Sequence, residues 1–485
     1  MKMQRFLHFV SHPLQPYSPL THEEDGGETP GPGDEAEKPP SAAARRGALI
    51  RRALWSLLPS FVSRPIRRRT DPNYTEEEDD DGAISEPSST SYLNGLRGIA
   101  SLIVACQHNT NQYFPANNRG WGDPPGHHAI IQLPFVRTIL AGSFSVTVFF
   151  VISGFALSYG PLKRMHQGRP DDAIGTVPSS LFRRPLRLFL PIVPILVFTN
   201  LVLIQWLQCF YAMEAVKIVP PQSDVWEALA QTWRDFIKII VGAFPPPAMP
   251  QVWTLGAEYQ GSLLVFLCCV AFARLGPVAR MWLVSAVFCW QWHVGYWQTA
   301  LFLSGMVLAD LHLLRPELPP LRWGTRAALA AANWLMFLMA LWLGGWPIYG
   351  EGGTTLGFTY FDWVPVGNVP KERFWHGVSA IALVSSLENM PGGRLQSWLN
   401  ARWVLYLGEI SYGLYLVHWM IAMNTLSKGS ILQLRQQPGW SSLTAWMVGF
   451  AISMPLCIWI ADLHWRLVDK PCVKLARRLS DFFGI

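Results

Sequence analysis

From residue 91 onward the chain is a succession of apolar runs of about 17–25 residues, the length that crosses the hydrocarbon core of a bilayer as an α-helix. Ten such segments are expected, at 93–112, 135–159, 185–208, 252–273, 279–294, 296–314, 326–346, 374–390, 403–424 and 443–464. Composition points the same way. Half of the 485 residues are apolar, 23 are Trp, and only 15% are charged, against roughly 25% in soluble domains. The expected fold is all-α: a polytopic membrane bundle of about ten transmembrane helices behind an N-terminal tail.

The tail, 1–90, is rich in Pro and Gly at 29–40, basic from Arg45 to Arg69 and acidic over Glu76–Asp81. Such a stretch buries no core and is expected to be largely disordered. Within it, 48–62 mixes Leu, Trp and Phe with arginines, which suits an interfacial amphipathic helix or, equally, a solvated basic linker. The membrane domain is expected to run over 91–472, with a short tail at 473–485. Basic residues flank alternate connections: Arg45–Arg69, then Lys163 to Arg187, Arg315 to Arg326, and Lys470 to Arg478. The positive-inside rule puts these on the cytoplasmic side, and with them both termini. Across the bilayer lie two larger loops. In one of them, Asp224–Ala243 has helical periodicity and is expected to lie along the interface. The formal charge of +6 therefore reports topology, and no nucleic-acid motif accompanies it. Seven Cys, mostly inside apolar runs and without metal-ligand spacing, read as buried thiols, so no metal is expected.

Ionisable residues inside spans are costly and point to function. The first span carries Arg97 and, eleven residues later, His108, followed by Asn109, Thr110, Asn111 and Gln112. On one helix the two are about 16 Å apart on nearly the same face. A cation near one surface and an imidazole near mid-depth suggest a lined path. Arg184 and Arg187 stand at i, i+3 where the third span begins, a pattern that fits bidentate recognition of phosphates and also a positive-inside anchor. Glu258 enters the fourth span in WTLGAE, where it can orient an imidazole or an arginine, or be held by backbone donors. Ser153 and Gly154 read as packing residues, since the turn that exposes a nucleophilic serine is absent.

In order, the chain carries LNGLRGIA at 93–100, His108, FFVISGF at 149–155, RPLR at 184–187, VWTLGAEYQGS at 252–262 and LGEISYGLYLVHW at 407–419. With these pieces it resembles a fungal-type, stand-alone member of the acyltransferase 3 family, the multi-span membrane O-acyltransferases. The family's Arg-x10-His pair falls on Arg97 and His108, and its Arg-x-x-Arg motif on Arg184 and Arg187. Asn94 stands where many members have Asp. The resemblance implies transfer of an acyl group, usually acetyl, from cytoplasmic acyl-CoA to a hydroxyl of a glycan, lipid or secondary metabolite. In that reading Arg184 and Arg187 hold the phosphates of acyl-CoA, Arg97 serves the donor, and His108 is the general base, with an acyl-His intermediate less favoured. Glu258 orients the imidazole or binds the acceptor. The competing class is a transporter that moves a solute or acyl group without chemistry, against which stands the lack of an internal repeat.

Overall fold

The structure is a computed structural model that describes residues 55, 57–70, 88–111, 113–123, 125–207, 222–242, 244–317, 323–349, 355–421 and 436–485. Among these residues it is helical and has no strand. Most of the N-terminal tail, 48–54 and the acidic run included, falls outside the described residues. The principal helices are α1 (Ser60–Thr70), α2 (Ser91–Asn111), α3 (Gly142–His166), α4 (Val177–Phe189), α5 (Val193–Phe198), α6 (Val225–Ile240), α7 (Trp253–Ala271), α8 (Pro277–His293), α9 (Trp297–Leu314), α10 (Trp323–Gly344), α11 (Lys371–Glu388), α12 (Arg394–Leu399), α13 (Arg402–Trp419), α14 (Ser442–His464) and α15 (Lys470–Phe483).

Over its described residues each of the ten predicted segments overlaps a helix or a short chain of helical pieces. Among the described residues six helical stretches are long and apolar enough to cross a membrane: Gly142–His166, Pro170–Gln205, Pro250–Ala271, Trp297–Leu314, Gly324–Gly344 and Ser442–Phe483. Of the others, α8 has 17 residues, and α2, α11 and α13 carry Arg97 and His108, Arg373 and Glu388, and Glu409 and His418. The least apolar helices are thus those that bring polar side chains inward. Pro191 and Pro194 break the third span into α4, a single 3-10 turn, α5 and a π-helical stretch at Thr199–Leu207, because each lacks the N–H that a continuous helix needs.

Helices with little side chain between them form the centre. α3 packs along α9, where a Cβ on Gly154 would lie 1.9 Å from the Phe302 carbonyl and one on Gly305 2.0 Å from that of Val151. α2 packs along α13 in the same way, with Gly98 against the backbone of Leu407 and Gly408. Small residues at helix contacts permit such approach in a membrane, where dispersion rather than water exclusion drives packing.

Several charged groups inside the bundle are paired. Arg280 and Asp310, each about 1% exposed, form a two-toothed pair at 2.7 Å per bond, and His166 Nε2 meets the same carboxylate at 2.7 Å. Glu388 on α11 accepts from the Tyr92 hydroxyl, from His312 Nδ1 at 2.5 Å and from Arg315 at 3.2 Å. Asp462 on α14 binds Arg466 and Tyr406 and caps α1, accepting from the Ser60 N–H at 3.1 Å and its hydroxyl at 2.5 Å.

Three boundaries differ from the sequence reading. The second span starts at Gly142, because 136–140 form a 3-10 turn in which the buried Arg137 donates to the carbonyls of Asn118 and, at 2.5 Å, Arg119. The described helix near the tail is α1, whose first turn overlaps the end of 48–62 and whose start is capped by Asp462 at Ser60; most of 48–62 lies outside the described residues. Residues 473–485 mostly continue α15, an amphipathic helix that packs on α4 and is tied by a Ser179–Ser480 hydrogen bond of 2.8 Å. The expected helix within 224–243 is α6, with Asp224 as its N-cap. Trp226, Leu229 and Trp233 are exposed on one side of it, an apolar face suited to the membrane interface.

Candidate active site

α2 presents its two diagnostic residues to two different cavities. Arg97 lines the first, of about 140 Å³, together with Ser153, Arg184, Arg187, Glu258, Ser411 and Asp469. His108 lines the second, of about 600 Å³, with Gln107, Asn111, Ser143, Gln251, Trp253, Arg373 and Trp419. Val146 on α3 and Tyr415 on α13 line both. A wall of side chains from two helices therefore separates them. Tyr415 is fixed there by its hydroxyl, which donates to the Gln251 carbonyl at 2.5 Å and lies 2.8 Å from Thr254 Oγ1.

The first cavity is cationic. Arg97 is half-buried and held from α13: Nε donates to Ser411 Oγ at 3.0 Å and Nη2 to the Gly408 carbonyl at 3.3 Å. Arg184 donates to Glu258 at 2.7 Å and to Ser262 at 2.9 Å, and so is aimed from two sides by α7. Arg187, one turn on along α4, has no hydrogen-bond partner among the described residues and is exposed. Three guanidiniums face two carboxylates, Glu258 and Asp469, leaving free donors and an excess of positive charge. Such a chamber suits a phosphate-bearing ligand. Asn94 lies one turn before Arg97 and donates through Nδ2 to Glu409 at 3.0 Å. An Asp there would set two carboxylates against each other; the amide supplies a donor instead.

The second cavity is organised by an imidazole with free nitrogens. The His108 ring stacks on His418 at 5.3 Å and meets Trp419 edge-on at 4.8 Å, and neither nitrogen has a hydrogen-bond partner among the described residues. His418, fully buried, is fixed by its Nδ1 at 3.2 Å from the Leu414 carbonyl. Neighbouring Gln107 donates to Asn118 at 3.2 Å, which ties the end of α2 to the segment held by Arg137. A neutral imidazole braced on two faces and open along its edge can accept a proton from a hydroxyl in the cavity.

Of the residues singled out from sequence, Arg97, Arg184, Arg187 and Glu258 share one chamber and His108 stands in the other. Glu258 meets Arg184 and not the imidazole. Ser153 also lines the first chamber. The sequence marks His418 only as an ionisable residue inside a span, and gives no site role to Ser411, Tyr415, Trp419, Arg373 and Asp469. A signal for three of these existed: Ser411, Tyr415 and Trp419 recur with His418 at helical spacing along one face of SYGLYLVHW.

A helical membrane protein with a cationic chamber, a histidine chamber and a thin wall between them has the layout of a membrane enzyme with two polar substrates. Residues 90–462 match the family model described as an acyltransferase domain, and the chain belongs to this acyltransferase 3 family of membrane acyltransferases. Among curated proteins it is similar to O-acetyltransferase PaAT-1 of Phomopsis amygdali, 30% identical over 431 residues that cover 80% of this chain and 84% of that one. It is also similar to acyltransferase R4 of Phoma sp. (strain ATCC 20986 / MF5453), at 23% identity covering 81% and 96%, and to acyltransferase MdmB of Streptomyces mycarofaciens, at 27% covering 80% and 92%. No solved structure matches the chain. The family brings an acyl donor and a hydroxyl-bearing acceptor, and no group of metal-ligating side chains occurs among the described residues.

Proposed function

We propose that the protein transfers an acyl group, by preference acetyl, from cytoplasmic acyl-CoA to a hydroxyl of a glycan, lipid or secondary metabolite, with His108 as general base. One observation carries the reading: a single helix, α2, offers a cation to one cavity and an unpartnered imidazole to the next, across a shared wall. The basic flanks of the spans support a cytoplasmic Arg97 end and cytoplasmic termini.

Arg187, Arg184 and Arg97 hold the phosphates and the polar arm of the donor, and Glu258 aims Arg184. The thioester reaches the wall at Val146 and Tyr415. Between those two side chains the acyl carbon enters the second chamber, where His108 takes the proton of the acceptor hydroxyl as that oxygen bonds to the acyl carbon. The carbon–sulfur bond breaks, and the proton passes from the imidazolium to the departing thiolate, giving the ester and free CoA. Positioned general bases contribute roughly 10²–10⁴-fold.

The test uses purified full-length protein in detergent, 13C-labelled acetyl-CoA and a small-molecule extract of the source organism, read by mass spectrometry. Labelled esters should form, and His108→Ala should lower the rate by at least two orders of magnitude while its thermal unfolding stays close to that of the parent. Full transfer by that variant would remove His108 from the chemistry, and absence of labelled ester with the parent would remove the transferase reading itself.

A further inference from the structure

The His108 cavity contains a cation that the proposed chemistry does not use. Arg373, in the first turn of α11, points into it, with 23% of its side chain exposed. Its Cζ lies 5.2 Å from the centre of the Trp297 ring and 5.8 Å from that of Trp253, and Nη1 donates to Ser143 at 2.8 Å. These contacts fix the guanidinium plane without using up its donors, of which arginine has five. Its one acidic neighbour among the described residues is Glu372, the adjacent residue, with nitrogen and oxygen 3.9 Å apart, beyond hydrogen-bond reach. No carboxylate among the described residues lines the cavity. The first turn of a helix carries partial positive charge from the backbone and so disfavours a cation. An oriented, under-neutralised guanidinium in such a place is poised for an anion.

Resting on the transferase reading above, we propose that Arg373 is the acceptor-recognition residue, and that the acceptor carries an anionic oxyacid group, a carboxylate or a phosphate, beside the hydroxyl that is acylated. Two parallel N–H···O bonds from Arg373 to that group orient the acceptor, and the tryptophan pair stacked on the guanidinium keeps the fork in one plane.

The labelled esters from the extract experiment are passed over a strong anion exchanger at pH 7, before and after phosphatase treatment. The labelled esters, told from unreacted acetyl-CoA by mass, should be retained by the exchanger; retention lost on phosphatase treatment identifies a phosphate monoester, and retention that survives it, with no phosphorus in the measured mass, identifies a carboxylate. With the purified acceptor as probe, Arg373→Gln should raise its KM roughly 10- to 100-fold, the range for losing charged hydrogen bonds. The Kd for acetyl-CoA should be unchanged, and Arg373→Lys should fall between the two. Labelled esters found only in the unretained, neutral fraction would overturn the proposal while leaving the transferase intact. So would an acceptor KM unchanged in a monodisperse Arg373→Gln protein. No labelled ester in any fraction would sink the transferase reading and this inference with it.

Discussion

Arg184 and Glu258 respond to substitution in opposite directions if the first chamber holds the donor. Their nitrogen and oxygen stand 2.7 Å apart, with side chains 17% and 24% exposed. That burial lies between a surface pair, worth about 0–1 kcal/mol, and a fully buried one, whose breaking costs about 3–5 kcal/mol. Removing either partner should therefore cost roughly 1–3 kcal/mol of stability, an interpolation between those limits. Ligand binding separates the two. Arg184→Ala removes a charged donor worth about 1.5–3 kcal/mol, so the Kd for acetyl-CoA should rise roughly 10- to 100-fold. Glu258→Gln removes the anion that competes with phosphate for Arg184 Nη2, so the Kd should fall or hold within about threefold. The assay is calorimetric titration of each detergent-purified variant with acetyl-CoA, beside thermal unfolding of the same samples. Equal losses of stability with no change in either Kd would show that the pair ties α4 to α7 and has no part in donor binding.

Three further outcomes are expected. Gly98→Ala places a methyl 2.4 Å from the Gly408 nitrogen, forcing α2 and α13 apart; transfer of labelled acetyl should drop on the order of tenfold to a hundredfold, and unaltered transfer would show that the helices can separate without moving the site. Asp310→Leu alone strands the buried Arg280 and should cost about 3–5 kcal/mol, whereas Asp310→Leu with Arg280→Met should recover much of it in thermal unfolding; a double variant no more stable than the single contradicts the pairing argument. Asp462→Ala removes the cap of α1, so trypsin should cut at Arg67–Arg69 faster than in the parent, and equal cleavage rates would mean that α1 is held by its apolar face alone.

Lipid-length apolar runs made the helices legible, because hydropathy is a local property that the bilayer enforces along each segment. The exceptions have tertiary causes. Arg137 turns the start of the second span into a 3-10 segment by reaching carbonyls nearly twenty residues upstream, and Asp462 sets the start of α1 across about four hundred residues. No window of sequence contains either partner. Arg97, His108, Arg184 and Arg187 stood out because ionisable groups beside apolar runs are conspicuous. Which of them share a chamber was not legible, and neither was the choice between arginine and imidazole as the neighbour of Glu258. Arg373 sat in the sequence as one more charged residue in a Lys-Glu-Arg cluster before an apolar run. Only the fold brings Trp253 and Trp297 to its guanidinium.

The residues shared by both cavities limit how a chain like this can diversify. Val146 and Tyr415 each present surface to two compartments, so a substitution that enlarges one compartment at that wall alters the other at the same stroke. Variation that is neutral for the first compartment must come from positions that face the second alone, such as Ser143, Trp253 and Tyr349. Libraries aimed at new acceptors should begin at those three, and a lineage acquiring new ones is expected to leave the wall for last.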